Sequence, residues 1–294
     1  MTQFVGTGVA LITPFKEDLS IDFDALERLV EYNIKNGVEY LVISGTTGES
    51  VTISSDEKKA LIEFIASVNK GRLPLVLGIG GNNTSSIINE IKSTDFTQID
   101  AILSVSPYYS KPTQEGIYQH FKAISEVSPL PIILYNVPGR TSKNIEPETT
   151  IRLANDFDNI IGVKEAGNNV HQYLELLRTK PDDFLVISGD DDLALGVALA
   201  GGSGVISVIG QGLPQEFSEM IRLGIAGKAK QAYDIHYKLM PITAMIFAEN
   251  NPAGIKAVLK GIGVSQLHVR LPLVIATKSL QNQIKKELKF LGKS

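Results

Sequence analysis

Eight short apolar segments recur along the chain, and each runs directly into turn residues. They read GVALITPF (8–15), YLVISGTTG (40–48), LVLGIGG (75–81), AILSVSPYY (101–109), IILYNVP (132–138), IIGVKEA (160–166), FLVISGDDD (184–192) and GVISVIG (204–210). Runs of Val, Ile and Leu closed by Gly, Pro, Ser, Thr or Asp have the signature of buried strands. Helical patterns lie between most of them. Phe23, Leu26, Leu29, Val30 and Ile34 share one helical face, with Gly37 as the stop. Ser54 and Glu57 have capping-box spacing ahead of the stripe Leu61, Ile62, Ile65 and Val68. Strand, turn and helix in repetition imply parallel strands with crossover helices, and near-continuous apolar strands imply cover on both faces. An open doubly wound sheet and a closed (β/α)8 (TIM) barrel both meet those terms. Eight near-equal units favour the barrel, whose usual size is about 250 residues. The glycines of GTGVALITPF precede the first strand, the wrong place for a dinucleotide-binding turn.

Residues beyond about 213 carry helical patterns without strands, QEFSEMIRLGIAGKAKQAYDIHYKLMPITAMIF and NPAGIKAVLKGIG being the clearest. The expected organisation is a barrel domain over 1–225 and a C-terminal helical region over 226–294 packed on it. With no cysteine in the chain, disulfides, zinc–thiolate sites and iron–sulfur clusters are excluded. No basic cluster marks a nucleic-acid surface, and the N-terminal stretch resembles neither a signal peptide nor a membrane span. A cytoplasmic protein acting on small molecules is the expectation.

Barrel active sites gather at the C-terminal ends of the strands. The polar residues there are Thr13; Ser44, Thr46, Thr47 and Glu49; Tyr108 and Tyr109; Tyr135 and Asn136; Lys164 and Glu165; and Asp190 to Asp192, with Arg140 just beyond strand five. Lys164 ends an apolar strand on the same face as Gly162 and Ala166, which leave room around it. Burial disfavours an ammonium, and the neutral amine is the form that attacks a carbonyl to give a Schiff base. A structural ion pair with Glu165 or a neighbouring carboxylate is the alternative. Tyr135 ends the adjacent strand, where a phenol can relay protons or simply pack. The glycines and threonines of GTTGES (45–50) suit a turn that binds a carboxylate, or an ordinary loop. Arg140 can grip a second carboxylate or lie on the surface. None of the four histidines ends a strand, so GDDD (189–192) is read as capping the following helix rather than holding a metal.

Together, GTTGES, PYYSKPTQEGIYQHF, YNVPGRT, GVKEA, SGDDD and GGSGVISV resemble the dihydrodipicolinate synthase family in order and spacing, along essentially the whole chain. The resemblance implies a cofactor-independent class I aldolase-type enzyme of lysine and diaminopimelate biosynthesis. Its substrates would be pyruvate, held as a Schiff base on Lys164, and L-aspartate-4-semialdehyde. A proton relay falls on Thr46, Tyr109 and Tyr135, with Tyr109 reaching in from a neighbouring subunit of a homotetramer. Thr46 and Thr47 would hold the pyruvate carboxylate and Arg140 that of the semialdehyde, and the backbone carbonyl of Ile206 would face the substrate. N-acetylneuraminate lyase and the 2-keto-3-deoxy sugar-acid aldolases share the lysine and the GTTGE loop; PYY together with Arg140 favours the synthase. A keto-acid-binding regulator would need a site residue to be missing.

Lysine-inhibited members of the family carry an interface site to which Ser50, Asn82 and Tyr108 correspond. Ser55, Lys58 and Ser86 stand where strongly inhibited enzymes have histidines and a glutamate. Lys58 repels a lysine ammonium and Ser86 cannot pair with it. Weak or absent inhibition by lysine is therefore expected. A lysine titration of the initial rate checks this, and half-inhibition at micromolar lysine overturns it.

Overall fold

The computed structural model describes residues 2–293. Eight parallel strands close into a barrel in sequence order: β1 (Gly6–Ala10), β2 (Tyr40–Ile43), β3 (Leu75–Gly78), β4 (Ala101–Val105), β5 (Ile132–Asn136), β6 (Ile160–Glu165), β7 (Leu185–Ser188) and β8 (Gly204–Ser207). The connecting helices are α1 (Phe23–Lys35), α2 (Ser55–Asn69), α3 (Thr84–Ser93), α4 (Gln114–Ser125), the single turn α5 (Pro138–Thr141), α6 (Pro147–Asp156), α7 (Val170–Thr179), α8 (Ala194–Leu199) and α9 (Pro214–Ile225). Three more helices complete the chain: α10 (Ala229–Ala248), α11 (Ala253–Gly261) and α12 (Lys278–Phe290).

Several of the barrel helices start where a side chain caps them. Asp22 accepts from the Ala25 N–H at 3.0 Å ahead of α1. The Ser54–Glu57 capping box opens α2. Asn83, Thr113 and Asn169 cap α3, α4 and α7 in the same way.

Alternation along the strands divides the core in two. Val9, Leu41, Leu77, Ile102, Leu134, Val163 and Val186 face the helix layer. Ala10, Val42, Val76, Leu103, Ile133, Ile187 and Ile206 fill the lumen. Phe4 and Tyr40 plug the lumen near the strand starts, edge to face with centroids 5.7 Å apart. A filled lumen leaves polar residues space only at the C-terminal mouth.

The first strand lies earlier than the apolar run suggests, at 6–10 rather than 8–15. Gly6 to Val9 pair with Gly204 to Ser207, which pulls the strand start back. Leu11 to Phe15 leave the ladder, and Phe15 meets Ile21 in an isolated antiparallel bridge. The runs after Ile43 and Ser188 likewise leave the sheet at their glycines.

Beyond α9, α10 packs on both α9 and α11, and α12 packs on α11. Residues 253–259 of α11 are all buried, Lys256 among them.

Closure is tightest where β1 meets β8. Gly204 has φ +128°, and a Cβ there would lie 1.9 Å from the Gly6 carbonyl oxygen. Only glycine fits both conditions. Gly204→Ala is expected to cost on the order of 3 kcal/mol or more, from strain plus overpacking. Urea unfolding of the soluble variant, or its failure to accumulate as soluble protein, checks this.

Candidate active site

The ladder between β5 and β6 sets Tyr135 directly beside Lys164. Lys164 is 5% exposed, and its Nζ stands 4.4 Å from the centroid of the Tyr135 ring. Among the described residues, Nζ makes no ion pair. Small residues keep the space around it: a Cβ on Gly189 would come within 2.9 Å of the Lys164 Cε. A poorly hydrated amine next to a phenol is suited to carbonyl addition followed by proton transfer.

Glu165 points the other way, as strand alternation requires. Its carboxylate accepts from Asn136 Nδ2 (3.0 and 2.8 Å), Gln172 Nε2 (2.8 Å) and the Gly167 N–H (2.8 Å). The ion pair between Lys164 and Glu165 that the sequence leaves open is therefore absent. Burial pushes the Glu165 carboxyl up to about 7, against the pull of those donors. Asn136 Oδ1 also accepts from the Ile145 N–H at 2.9 Å, and Asn144 Nδ2 donates to Gln172 Oε1 at 2.8 Å. The network thus ties β5, α7 and the segment after α5 together behind the site.

The expected helix cap at GDDD is corrected. Asp191 is buried, and its carboxylate accepts from the backbone N–H groups of Val208 (3.1 Å) and Ile209 (2.9 Å). The residue preceding α8 is Leu193, which has no capping side chain. Close strand packing draws Asp191 across to the end of β8, two residues past Ile206. Burial pushes its carboxyl up to about 6, opposed by these donors and by the nearby Lys164 charge.

The GTTGES segment forms two short 3₁₀ turns, Thr46–Gly48 and Ser50–Thr52, hinged at Glu49 with φ 57°. Thr46 lines a cavity of about 890 Å³ together with Ser44, Leu103, Val105, Tyr108 and Tyr135. Thr47 is buried behind it, and Thr47 Oγ1 accepts from Asn251 Nδ2 at 2.9 Å. Thr13 Oγ1 donates to the Gly48 carbonyl at 2.7 Å. Glu49 is 2% exposed and pairs with Lys256, itself 0% exposed, at 2.6 Å. Burial brings the Lys256 ammonium down to about 8, with Glu49 resisting.

Ile206 sits in the lumen on β8, beside Gly8 of β1. Two predicted residues lie apart from this group. Tyr109 is 90% exposed and held at φ 70°. Arg140 is exposed on α5 at the rim. Of the three positions matching an interface site, Ser50 and Tyr108 line the outer part of the same cavity, and Asn82 is exposed. Lys58 Nζ donates to the Gly78 carbonyl (2.8 Å) and to Glu90 Oε1 (2.5 Å). Glu90 compensates the Lys58 charge, so the repulsion inferred from sequence is reduced. Lys58 still fills space on the cavity wall.

Sequence patterns alone missed the contribution of residues beyond 250. A lysine among Ile255, Val258 and Leu259 on an apolar helix was the available signal, because a buried lysine requires a partner.

The model of the dihydrodipicolinate synthetase family matches residues 3–291. The 4-hydroxy-tetrahydrodipicolinate synthase of Flavobacterium psychrophilum is 58% identical over 293 residues, covering 100% of both chains. Among solved structures, the pyruvate complex of a chloride-inhibited dihydrodipicolinate synthase from Acinetobacter baumannii is 38% identical, with a TM-score of 0.96 over 99% of this chain and 100% of that one. A structure described as the first monomeric dihydrodipicolinate synthase variant is 39% identical, with a TM-score of 0.97 over 100% of this chain and 98% of that one.

The raised carboxyl of Glu165 has a thermodynamic consequence. Its folded value of about 7 lies above the ordinary 4.5, so the folded state holds the extra proton between those values. The associated stability is full below the ordinary value and is lost as pH rises through about 7. The stability of wild type minus that of Glu165→Gln should therefore fall by up to about 3 kcal/mol between pH 4.5 and 7. Paired urea melts across that range check it.

Proposed function

The chain belongs to the dihydrodipicolinate synthetase family, and from that premise we propose how its residues carry out the 4-hydroxy-tetrahydrodipicolinate synthase reaction. Lys164 Nζ adds to the C2 carbonyl of pyruvate, and loss of water gives a protonated imine. That cation acts as the electron sink, so a methyl proton of pyruvate can leave and an enamine forms. The enamine carbon bonds to the aldehyde carbon of L-aspartate-4-semialdehyde, whose oxygen takes up a proton. The amino group of the semialdehyde then adds to the imine carbon, closes the ring and releases Lys164 as free amine. No redox change occurs in any step, so no electron-carrying cofactor is called for.

The single observation that carries this assignment is a buried lysine at the C-terminal end of β6, with its amine over the ring of its register partner Tyr135. Tyr135 takes and returns protons at the carbinolamine oxygen that leaves as water and at the new hydroxyl. Thr46 extends the relay along the cavity wall, and Thr47 with Thr46 receives the pyruvate carboxylate. The Ile206 carbonyl orients the bound keto acid. Arg140, exposed at the rim, clamps the carboxylate of the semialdehyde through two parallel hydrogen bonds.

Tyr109 completes the relay from a second copy of the chain. Its phenol stands in solvent, and a left-handed backbone holds it there. A side chain so exposed fits a role in trans, which implies at least a dimer and, by family resemblance, a tetramer of two such dimers. Among the described residues, no helix is long and apolar enough to cross a membrane. We place the enzyme in the cytoplasm, where its substrates are soluble metabolites.

Incubation with pyruvate and borohydride should leave a reduced adduct on Lys164, located by peptide mass spectrometry. An unmodified Lys164 would remove the nucleophile. Aspartate semialdehyde should then be turned over far faster than sugar aldehydes; the reverse order would favour a sugar-acid aldolase. Tyr135→Phe should lower kcat by about a hundredfold, the usual worth of a positioned proton donor. The subunit arrangement has its own test. Lys164→Ala and Tyr109→Phe should each be nearly inactive, yet mixing them should restore roughly a quarter of wild-type activity if random dimers pair an intact lysine with a partner's tyrosine. No recovery in exchanging mixtures would place Tyr109 in its own chain's site.

A further inference from the structure

The turn at Thr46–Gly48 is too short to hold its own shape. It is a single 3₁₀ turn, and the residue that closes it, Glu49, is in the left-handed region without being glycine. Such a conformation persists where surrounding contacts over-determine it. Two of those contacts come from residues beyond 250.

The first is ionic. Glu49 Oε1 accepts from Lys256 Nζ at 2.6 Å, and Oε2 accepts from the Arg270 N–H at 2.9 Å. Lys256 also donates to the His268 carbonyl at 2.6 Å and lies 4.4 Å from the centroid of the Phe15 ring. Both charged side chains are buried within α11 and the loop. An apolar pair of similar volume would pack the same interface without the desolvation cost of two ions. The second contact is neutral. Asn251 Nδ2 donates to Thr47 Oγ1, which uses an acceptor site of that hydroxyl and leaves its O–H hydrogen to point elsewhere. Thr47 is thereby set as a donor, the state an anion requires.

We infer that Asn251 and Lys256 are positioning residues for the keto-acid carboxylate, acting through Thr47 and Glu49 to present the Thr46–Thr47 turn to the anion. The inference rests on the assignment of that turn to the pyruvate carboxylate. Neither residue is placed against the reacting carbon, so the effect falls on binding of the keto acid. The C-terminal helices are on this account part of the substrate site as well as a cover for the barrel.

The full-length enzyme tests this. Asn251→Ala removes one hydrogen bond and strands no charge. The KM for pyruvate should rise about five- to tenfold, the worth of one buried hydrogen bond. The kcat and the KM for the aldehyde should stay within about twofold. Thr47→Val should raise the pyruvate KM by a similar factor, and Asn251→Ala added to it should change little, because the two residues act as one unit. Lys256→Met should lower the melting temperature as well as pyruvate affinity, since it leaves Glu49 buried and unpaired. Glu49→Gln combined with Lys256→Met removes both charges; the melting temperature should recover while the pyruvate KM stays high. Recovery of both together would make the pair merely structural and overturn its positioning role. Raised KM in Thr47→Val with none in Asn251→Ala would overturn the inference alone. An unchanged pyruvate KM in Thr47→Val would overturn the carboxylate assignment, and the inference with it.

Discussion

Closure of the sheet between β1 and β8 is the constraint on which every other feature depends. Gly204 lets the β8 backbone close on Gly6 of β1, where a side chain would block the approach. Once closed, the barrel has no edge and its lumen must be filled. Phe4, Tyr40 and the aliphatic inward residues fill it from below. An ionisable group can then face inward only near the mouth, where Lys164 stands. The buried amine is a consequence of that packing as much as of its own strand.

Alternation along the strands separates the chemistry from its support. Tyr135 and Lys164 face inward beside one another, while their immediate neighbours Asn136 and Glu165 face outward and bond to each other. The same outward layer joins α7 to the segment that follows α5. Asp191 performs a similar service between the ends of β7 and β8. The ends of β5 and β6 thus each contribute one inward residue to the site and one outward residue to the frame that holds the loops. The burial of these carboxylates raises their proton affinity, so the frame resists ionisation while its donors favour it.

Much of this was legible in the chain. The eight apolar runs, their turn residues and the Ser54–Glu57 cap all express local rules of pattern and capping. Lys164 and Tyr135 stood out because a charged or phenolic residue at the end of an apolar strand is unusual. The limits of the first strand are not legible, because the apolar run continues through Phe15 and only pairing with β8 and β2 sets where the strand starts and ends. The role of GDDD is not legible, because turn propensity describes neighbours in sequence, whereas Asp191 bonds across to Val208 and Ile209 at the end of the adjacent strand. Tyr109 and Arg140 were recognised by motif, and nothing local could show that one chain leaves both exposed.

By itself, the sequence determined the alternation of strand and helix, the barrel that follows from it, and the residues that end each strand. Those are properties of short windows, set by hydrophobic period, turn chemistry and capping. The tertiary structure alone decided which of those residues meet. It turned Glu165 away from Lys164, carried Asp191 to β8, and brought Asn251 and Lys256 back to a loop some 200 residues earlier in the chain. Contacts of that range depend on how the closed barrel and the C-terminal helices pack, because a buried charge or amide finds its partner by position in space, whatever the separation along the chain.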